Sequence, residues 1–262
     1  MRVIKAHAYG NDFLIAPRAT MSADARAPIA KRLCDRHRGL GADGLITLTE
    51  HNGRFVTTLT NADGSYAEVS GNGVRCVAAW IAHEHSTRPG ASLTIETDAG
   101  PKRLTLLDNS GLRFQFKADM GPPADLGEET LDVAGQRVRV IVLRVGNPQC
   151  VVLGQATDER LATIASAIAV HPFFPDGTNV ELADVQARDR VRILIWERGV
   201  GPTESSGTGA CAAAVAAAAY GGADHAVDVI APGGSQRVDW TDETIWLTGW
   251  AELVAIADWL DV

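Results

Sequence analysis

Two short words carry the chemistry of this 262-residue chain. Residues 70 to 73 read Ser-Gly-Asn-Gly and residues 206 to 209 read Ser-Gly-Thr-Gly, and each runs straight into an apolar stretch. A serine followed by glycine ahead of helix-forming residues makes a plausible N-cap and first turn. Such a start offers a side-chain hydroxyl and unpaired backbone N–H groups, and the helix dipole favours an anion there. The glycines admit a ligand close to the backbone and tolerate positive φ. Either word alone is equally an ordinary capped helix. Written twice, they suggest two helix starts that clamp one carboxylate, with Ser70 and Ser206 at the centre.

The repetition extends beyond these words. Ser70 and Ser206 are 136 positions apart, and the same spacing lays Gly10-Asn11 on Gly146-Asn147, Gly41-Ala42-Asp43 on Gly177-Thr178-Asn179, and Asn61 on Glu197. A common register over four words implies a duplicated unit of about 130 residues, longer than a solenoid repeat. Between the words lie β-branched segments with partial alternation, among them VIKAHAY, GLITLT, FVTTLTN and SLTIET in the first half, and VRVIVLRV, QCVVLG, RVRILIW and AVDVIA in the second. Helices are expected over 71–86 and 207–220. The second is apolar on every side and mostly alanine, so it belongs inside a core. The expected fold is therefore mixed α/β (α+β), with two pseudo-symmetric domains, each a curled mixed β-sheet around a central α-helix. The boundaries drawn are 1–116 with 250–262 for one domain and 117–249 for the other, the Pro-rich MGPPADLG at 120–127 being the best boundary candidate near the midpoint.

Composition narrows the partners. A net charge of −8 with scattered Lys and Arg argues against nucleic acid, though not against a small anion held locally. The longest apolar run, CAAAVAAAAY, is too short to span a bilayer, and the start lacks the apolar core of a signal peptide. A cytoplasmic protein with no membrane partner is expected. The four cysteines, at 34, 76, 150 and 211, have neither metal-ligand spacing nor the density of a disulfide scaffold. Metal ligands are accordingly expected to be none.

The chain resembles the diaminopimelate epimerase family, within the fold group of cofactor-independent proline racemases. The resemblance rests on HAYGNDFLI, CDRHRGLGADGL, NADGSYAEVSGNGVRC, GNPQCVV, FFPDGTNVEL, ERGVGPTESSGTGAC and APGG, in that order along nearly the whole chain. It implies two domains meeting at a cleft that holds the active site, no cofactor, no metal, and a homodimer acting on a small amino acid. The implied reaction inverts an amino acid α-carbon, converting LL-diaminopimelate to the meso form on the way to lysine and peptidoglycan precursors. One group removes the α-proton from one face while a second donates to the other. By position, the family's two catalytic bases fall on Ser70 and Ser206. Gly71, Asn72, Gly207 and Thr208 would hold the α-carboxylate and the charge that develops beside it. The distal zwitterion would meet Asn11, Asn61, Asn147, Asn179, Glu197 and Arg198, a set in which Arg grips carboxylate and Glu accepts from ammonium.

The sequence departs from the family at the residues that matter most. The family has cysteines where Ser70 and Ser206 stand, and a thiol with a reference pKa near 8.5 is a far stronger acid than an alkyl hydroxyl. Cys76 and Cys211 lie well round their helices from the caps and read as core thiols. Gln149 replaces a usual histidine, and Gly44 a polar residue. Three readings follow from the residues: an epimerase whose hydroxyls relay protons; a diverged isomerase, dehydratase or ligand-binding protein on the same fold; or a paired cysteine-to-serine change that traps ligand.

Overall fold

The computed structural model describes residues 1–17 and 21–260. Asp261 and Val262, the end of the segment assigned to the first domain, lie outside the described residues. The architecture is mixed α+β, and the chain divides into two compact units, one from Met1–Ala118 with the segment that starts at Gly249, the other Asp119–Thr248.

In the first unit, β1 (Arg2–Ala8) pairs antiparallel with β2 (Asn11–Pro17), and residues 252–258 of the last strand pair with β1 on its other side. Helix α1 (Arg26–Leu33) leads to β3 (Gly44–His51), which lies parallel to β2. Then β4 (Arg54–Asn61) runs antiparallel to β3, and the short β5 (Tyr66–Ala67) follows it. Helix α2 (Gly71–Glu84) crosses to β6 (Ser92–Thr97), parallel to β4, and β7 (Gly100–Ser110) and β8 (Arg113–Asp119) complete a meander. Alternate residues of the strands feed two cores, as the pleat requires. Val3, Leu14 and Leu45 face α1, while α2 buries Cys76, Val77, Ala78 and Ile81.

The second unit repeats these pairings. β9 (Ala124–Val133) and β10 (Gln136–Val145) form a hairpin, β11 (Asn147–Leu153) pairs antiparallel with β10, and β12 (Asn179–Ala187) is parallel to β11. The crossover between them is helical over 158–169 (α3), with a π-helical turn at Leu161–Ala165. β13 (Arg190–Glu197), β14 (Gly201–Thr203), helix α4 (Gly207–Tyr220), β15 (Ala226–Ala231) and β16 (Gly234–Trp240) follow in the order of β4 to β7. The first residues of β17 (Ile245–Asp258) pair with β16. Ala210 to Ala217 of α4 are all buried, because a helix of small residues lets strands close around it on every side. Alanine also has the strongest helix propensity, so burial and local preference agree.

The division between the units falls just ahead of MGPPADLG, whose last four residues begin β9. One expectation needs correction: the 136-residue spacing slips by one within the repeat. Phe13 faces Gly44 across the β2–β3 pair, whereas Gln149 faces Asn179 across β11–β12. Asn179 thus occupies the register position of Gly44 rather than that of Asp43, and Glu181 that of Ile46. The additional residue in the first unit is Asp43, which Arg36, Asn11 and the Asp12 N–H hold through its two carboxylate oxygens. No helix among the described residues is long and apolar enough to cross a membrane.

Candidate active site

Ser70 and Ser206 are both helix N-caps with extended backbone, at φ −125°, ψ 124° and φ −140°, ψ 127°. The Oγ of Ser70 accepts the Gly73 N–H at 3.1 Å, and the Oγ of Ser206 accepts the Gly209 N–H at 3.0 Å. Both carbonyls begin their helix ladders, to Val74 and Ala210. Each cap satisfies the third N–H of the helix, and the first two, on Gly71 and Asn72 and on Gly207 and Thr208, precede the helix's own bonding pattern. Ser70 and Ser206 are half-buried, as are Gly71 and Thr208, while Asn72 and Gly207 are buried.

In the first unit, Asn72 donates through Nδ2 to Asn11 Oδ1 at 3.2 Å, and the buried Arg75 donates to its Oδ1. Asn11 in turn donates to Asp43 at 2.7 Å. Arg36 bridges Asp12 and Asp43 at 2.8 Å to each, and Lys5 approaches Asp12 at 3.1 Å. The Asp12 carboxyl opposes its own burial through these two cations, which hold it below the usual carboxylate range. A charged network thus fixes the amide orientation of Asn11 and, through it, Asn72. Asn61 lies apart from that chain and donates to Ser65 Oγ at 3.0 Å. Sequence reasoning singled out the asparagines but missed Arg36 and Asp12, whose contact spans 24 positions, and Arg75, which reaches Asn72 from one turn further along the same helix.

In the second unit, Asn147 accepts from Gln149 Nε2 at 2.6 Å, and the buried Asn179 accepts the Arg198 N–H at 2.9 Å. The Arg198 guanidinium donates to the Asp176 carbonyl at 2.9 Å. Its stem lies over Gly177, where φ is +71° and a Cβ would meet Arg198 Cδ at 3.1 Å. Thr208 Oγ1 stands 3.4 Å from Ser206 Oγ. Glu197 ends β13, with its register partner Gly201 opening the return.

Beneath Ser206 lies a residue to which sequence reasoning gave no role. Glu181 is completely buried, and neither carboxylate oxygen has a hydrogen-bond partner. Gln149 Oε1, also buried, is likewise unpartnered. Burial, reinforced by the Glu197 carboxylate, pushes Glu181 up to about 8. The four cysteines are all buried and form no disulfide among the described residues, and burial pushes Cys34 and Cys76 up to about 12. Cys76 and Cys211 are core groups, as their places on the helices implied. Among the described residues no cluster of His, Cys, Asp or Glu has the arrangement of a metal site.

The fold is shared with solved structures of other proteins. A hydroxyproline epimerase from Agrobacterium vitis, solved with trans-4-hydroxy-L-proline, superimposes with a TM-score of 0.69 at 16% identity over 98% of this chain and 90% of that one. A phenazine biosynthesis protein of the PhzF family from Bacillus anthracis gives 0.76 at 15% identity over 100% and 99%. The sequence is more specific. The family model for diaminopimelate epimerase matches residues 3–125 and 141–254. Diaminopimelate epimerases of Moorella thermoacetica and Desulforudis audaxviator are each 36% identical, covering 95% and 99% of both chains respectively. The chain belongs to the diaminopimelate epimerase family.

Proposed function

We propose that the protein is an amino acid epimerase that inverts one α-carbon of diaminopimelate without a cofactor, with Ser70 and Ser206 as its two proton carriers. The observation that supports this reading most directly is the pair of matched N-caps: one hydroxyl at the start of α2, one at the start of α4, in a chain related to diaminopimelate epimerases over nearly its whole length. The chemistry needs an acid and a base on opposite faces of a planar carbon, and a fold that repeats one unit supplies one carrier from each copy. The N–H groups of Gly71, Asn72, Gly207 and Thr208 stabilise the α-carboxylate and the charge that develops beside it as the α-proton leaves. Asn11, Asn61, Asn147, Asn179, Glu197 and Arg198 bind the distal amino acid centre. The enzyme works in the cytoplasm as a homodimer on a small free amino acid.

A hydroxyl carries a proton only when something takes or returns the proton it holds, because its alkoxide is far more basic than a thiolate. The deciding experiment is incubation with LL-diaminopimelate in heavy water. Deuterium at the α-carbon together with the meso isomer is the expected result. The buried Gln149, where a histidine is usual, favours a second reading, a protein that binds the amino acid without turning it over. Tight binding without exchange would establish that second reading instead.

A further inference from the structure

Among the described residues, Glu181 is the only carboxylate that is fully buried with neither oxygen in a hydrogen bond. It stands on β12 between Val151 of β11 and Ile195 of β13, on the face that packs under α4. A Cβ on Gly209 would lie 2.5 Å from Glu181 Oε1 and 3.1 Å from Ser206 Oγ. Glu181 Oε1 therefore takes up the space that a side chain at position 209 would need, and the Ser206 hydroxyl borders the same point in the first turn of α4.

The first unit has no such pair. The register position of Glu181 is taken there by Ile46, whose Cδ1 lies 2.9 Å from where a Cβ on Gly73 would stand. The two helix starts match in backbone, cap geometry and glycine, and they differ in having hydrocarbon behind one serine and a carboxyl behind the other. A purely structural role would favour a hydrocarbon at both, since an unpaired buried carboxyl is destabilising.

We propose that Glu181 is the proton store for Ser206, a positioning acid that refills the hydroxyl when Ser206 gives its proton to the α-carbon. This rests on the epimerase reading given above. In the donating direction the Ser206 O–H bond breaks and a C–H bond forms at the carbanionic α-carbon, using the electron pair held there. The Glu181 O–H bond breaks as the Ser206 O–H bond forms again, leaving Glu181 as the carboxylate. In the opposite direction the α-C–H bond breaks and leaves its pair on carbon. Its proton becomes the Ser206 hydroxyl proton while the earlier one passes to the Glu181 carboxylate.

The surroundings suit a store that holds its proton at neutral pH. Burial acts first, and Glu197 at the end of β13 adds a like charge. Cys150 on β11 is itself raised by burial and by Glu181. The first turns of α4 read Gly-Thr-Gly-Ala-Cys-Ala and bring no charged side chain. Enzyme that has lost the Glu181 proton has none to return through Ser206, so turnover falls as pH rises through about 8. The net inversion neither releases nor takes up a proton, so both directions share this limb.

The test compares wild type, Glu181→Gln and Glu181→Ile in α-hydrogen exchange and inversion of LL- and meso-diaminopimelate from pH 6 to 10. Infrared spectra give the carboxylic acid band of the wild type near neutral pH. Glu181→Gln is expected to lower kcat ten- to hundredfold with KM within about threefold, to remove the alkaline limb and to lose the infrared band. Glu181→Ile, which copies Ile46, serves if the Gln variant does not fold. An unchanged kcat and pH profile in either folded variant, with active wild type, would overturn this assignment alone. Wild type that shows no exchange at any pH would overturn the epimerase reading, and the assignment with it.

Discussion

The Asn179 side chain accepts the backbone N–H of Arg198 at 2.9 Å, so the amide that opens β12 fixes the residue that leaves β13. Arg198 is exposed, and its guanidinium donates to the Asp176 carbonyl. Arg198→Ala is expected to weaken diaminopimelate binding by about 2 to 5 kcal/mol, the range for truncating one partner of a desolvated charge contact. Its effect on stability should stay within about 0.5 kcal/mol, as for other surface changes. Asn179→Ala should affect both, since it also leaves a backbone N–H without its acceptor. Calorimetric titration beside thermal unfolding separates the two. A lowered melting temperature with unchanged affinity for Arg198→Ala would remove that residue from the site.

Glu181 also ties stability to pH. Its acid form is the one the fold tolerates, so the folded state retains a proton that the unfolded chain gives up above its ordinary value of 4.5. The folded pKa is the raised one, about 8, so the stabilisation is fully present below 4.5 and is lost as pH rises toward 8. Across that window the wild type should lose up to about 1.4 kcal/mol per pH unit relative to Glu181→Gln, whose amide does not titrate. Urea unfolding of both proteins at several pH values isolates this one group from the carboxylates common to both. Parallel stability curves would mean that Glu181 is ionised and paired in the folded protein.

Much of this was legible in the chain. The caps were visible because Ser-Gly before an apolar run is a local signal, and the helices at Gly71–Glu84 and Gly207–Tyr220 begin where it falls. Several strands were not. β12 is buried on both faces near its start, where NVELA shows no alternation to read. β9 is hidden behind two prolines. The chemistry of Glu181 was illegible for a further reason. Its burial follows from a strand covered on both faces, and a one-residue slip in register decides that it faces α4, since a shift of one reverses which face a side chain occupies. Within GTNVEL the glutamate looks like any polar residue of a half-exposed strand.

The close approach of Glu181 to Gly209 can be measured directly. Gly209→Ala gains helix propensity but sets a methyl group 2.5 Å from a carboxyl oxygen that is buried and cannot swing into solvent. A net loss of about 1 to 3 kcal/mol is expected, as for overpacked cores. Gly73→Ala meets the end of the Ile46 side chain and should cost less. If the clash with Glu181 is the cause, Glu181→Ala should relieve it, and the double-mutant cycle should show coupling of at least about 0.5 kcal/mol. Additive losses would place the strain elsewhere in the turn.

The serines themselves invite the most demanding test. Each Oγ now accepts a helix N–H at 3.1 or 3.0 Å, and a thiolate in the same place would meet the same N–H and the same dipole. Ser70→Cys with Ser206→Cys should therefore raise α-hydrogen exchange and inversion of diaminopimelate well above the parent rate. Stability should fall modestly, because a weaker cap acceptor costs about 0.5 to 2 kcal/mol. Each single change should gain much less, since inversion needs an acid and a base. Gln149→His should add to the double change and do little alone. Gln149 is buried with Oε1 unpartnered, so an imidazole there gains work only when a thiol is present to exchange a proton with it. The measurement is exchange and inversion of both diastereomers at matched enzyme concentration, with affinity measured on the same samples. Tight binding without any gain in exchange would show that Ser70 and Ser206 are not where the protons move, and absent binding in every variant would show that the site takes a different amino acid.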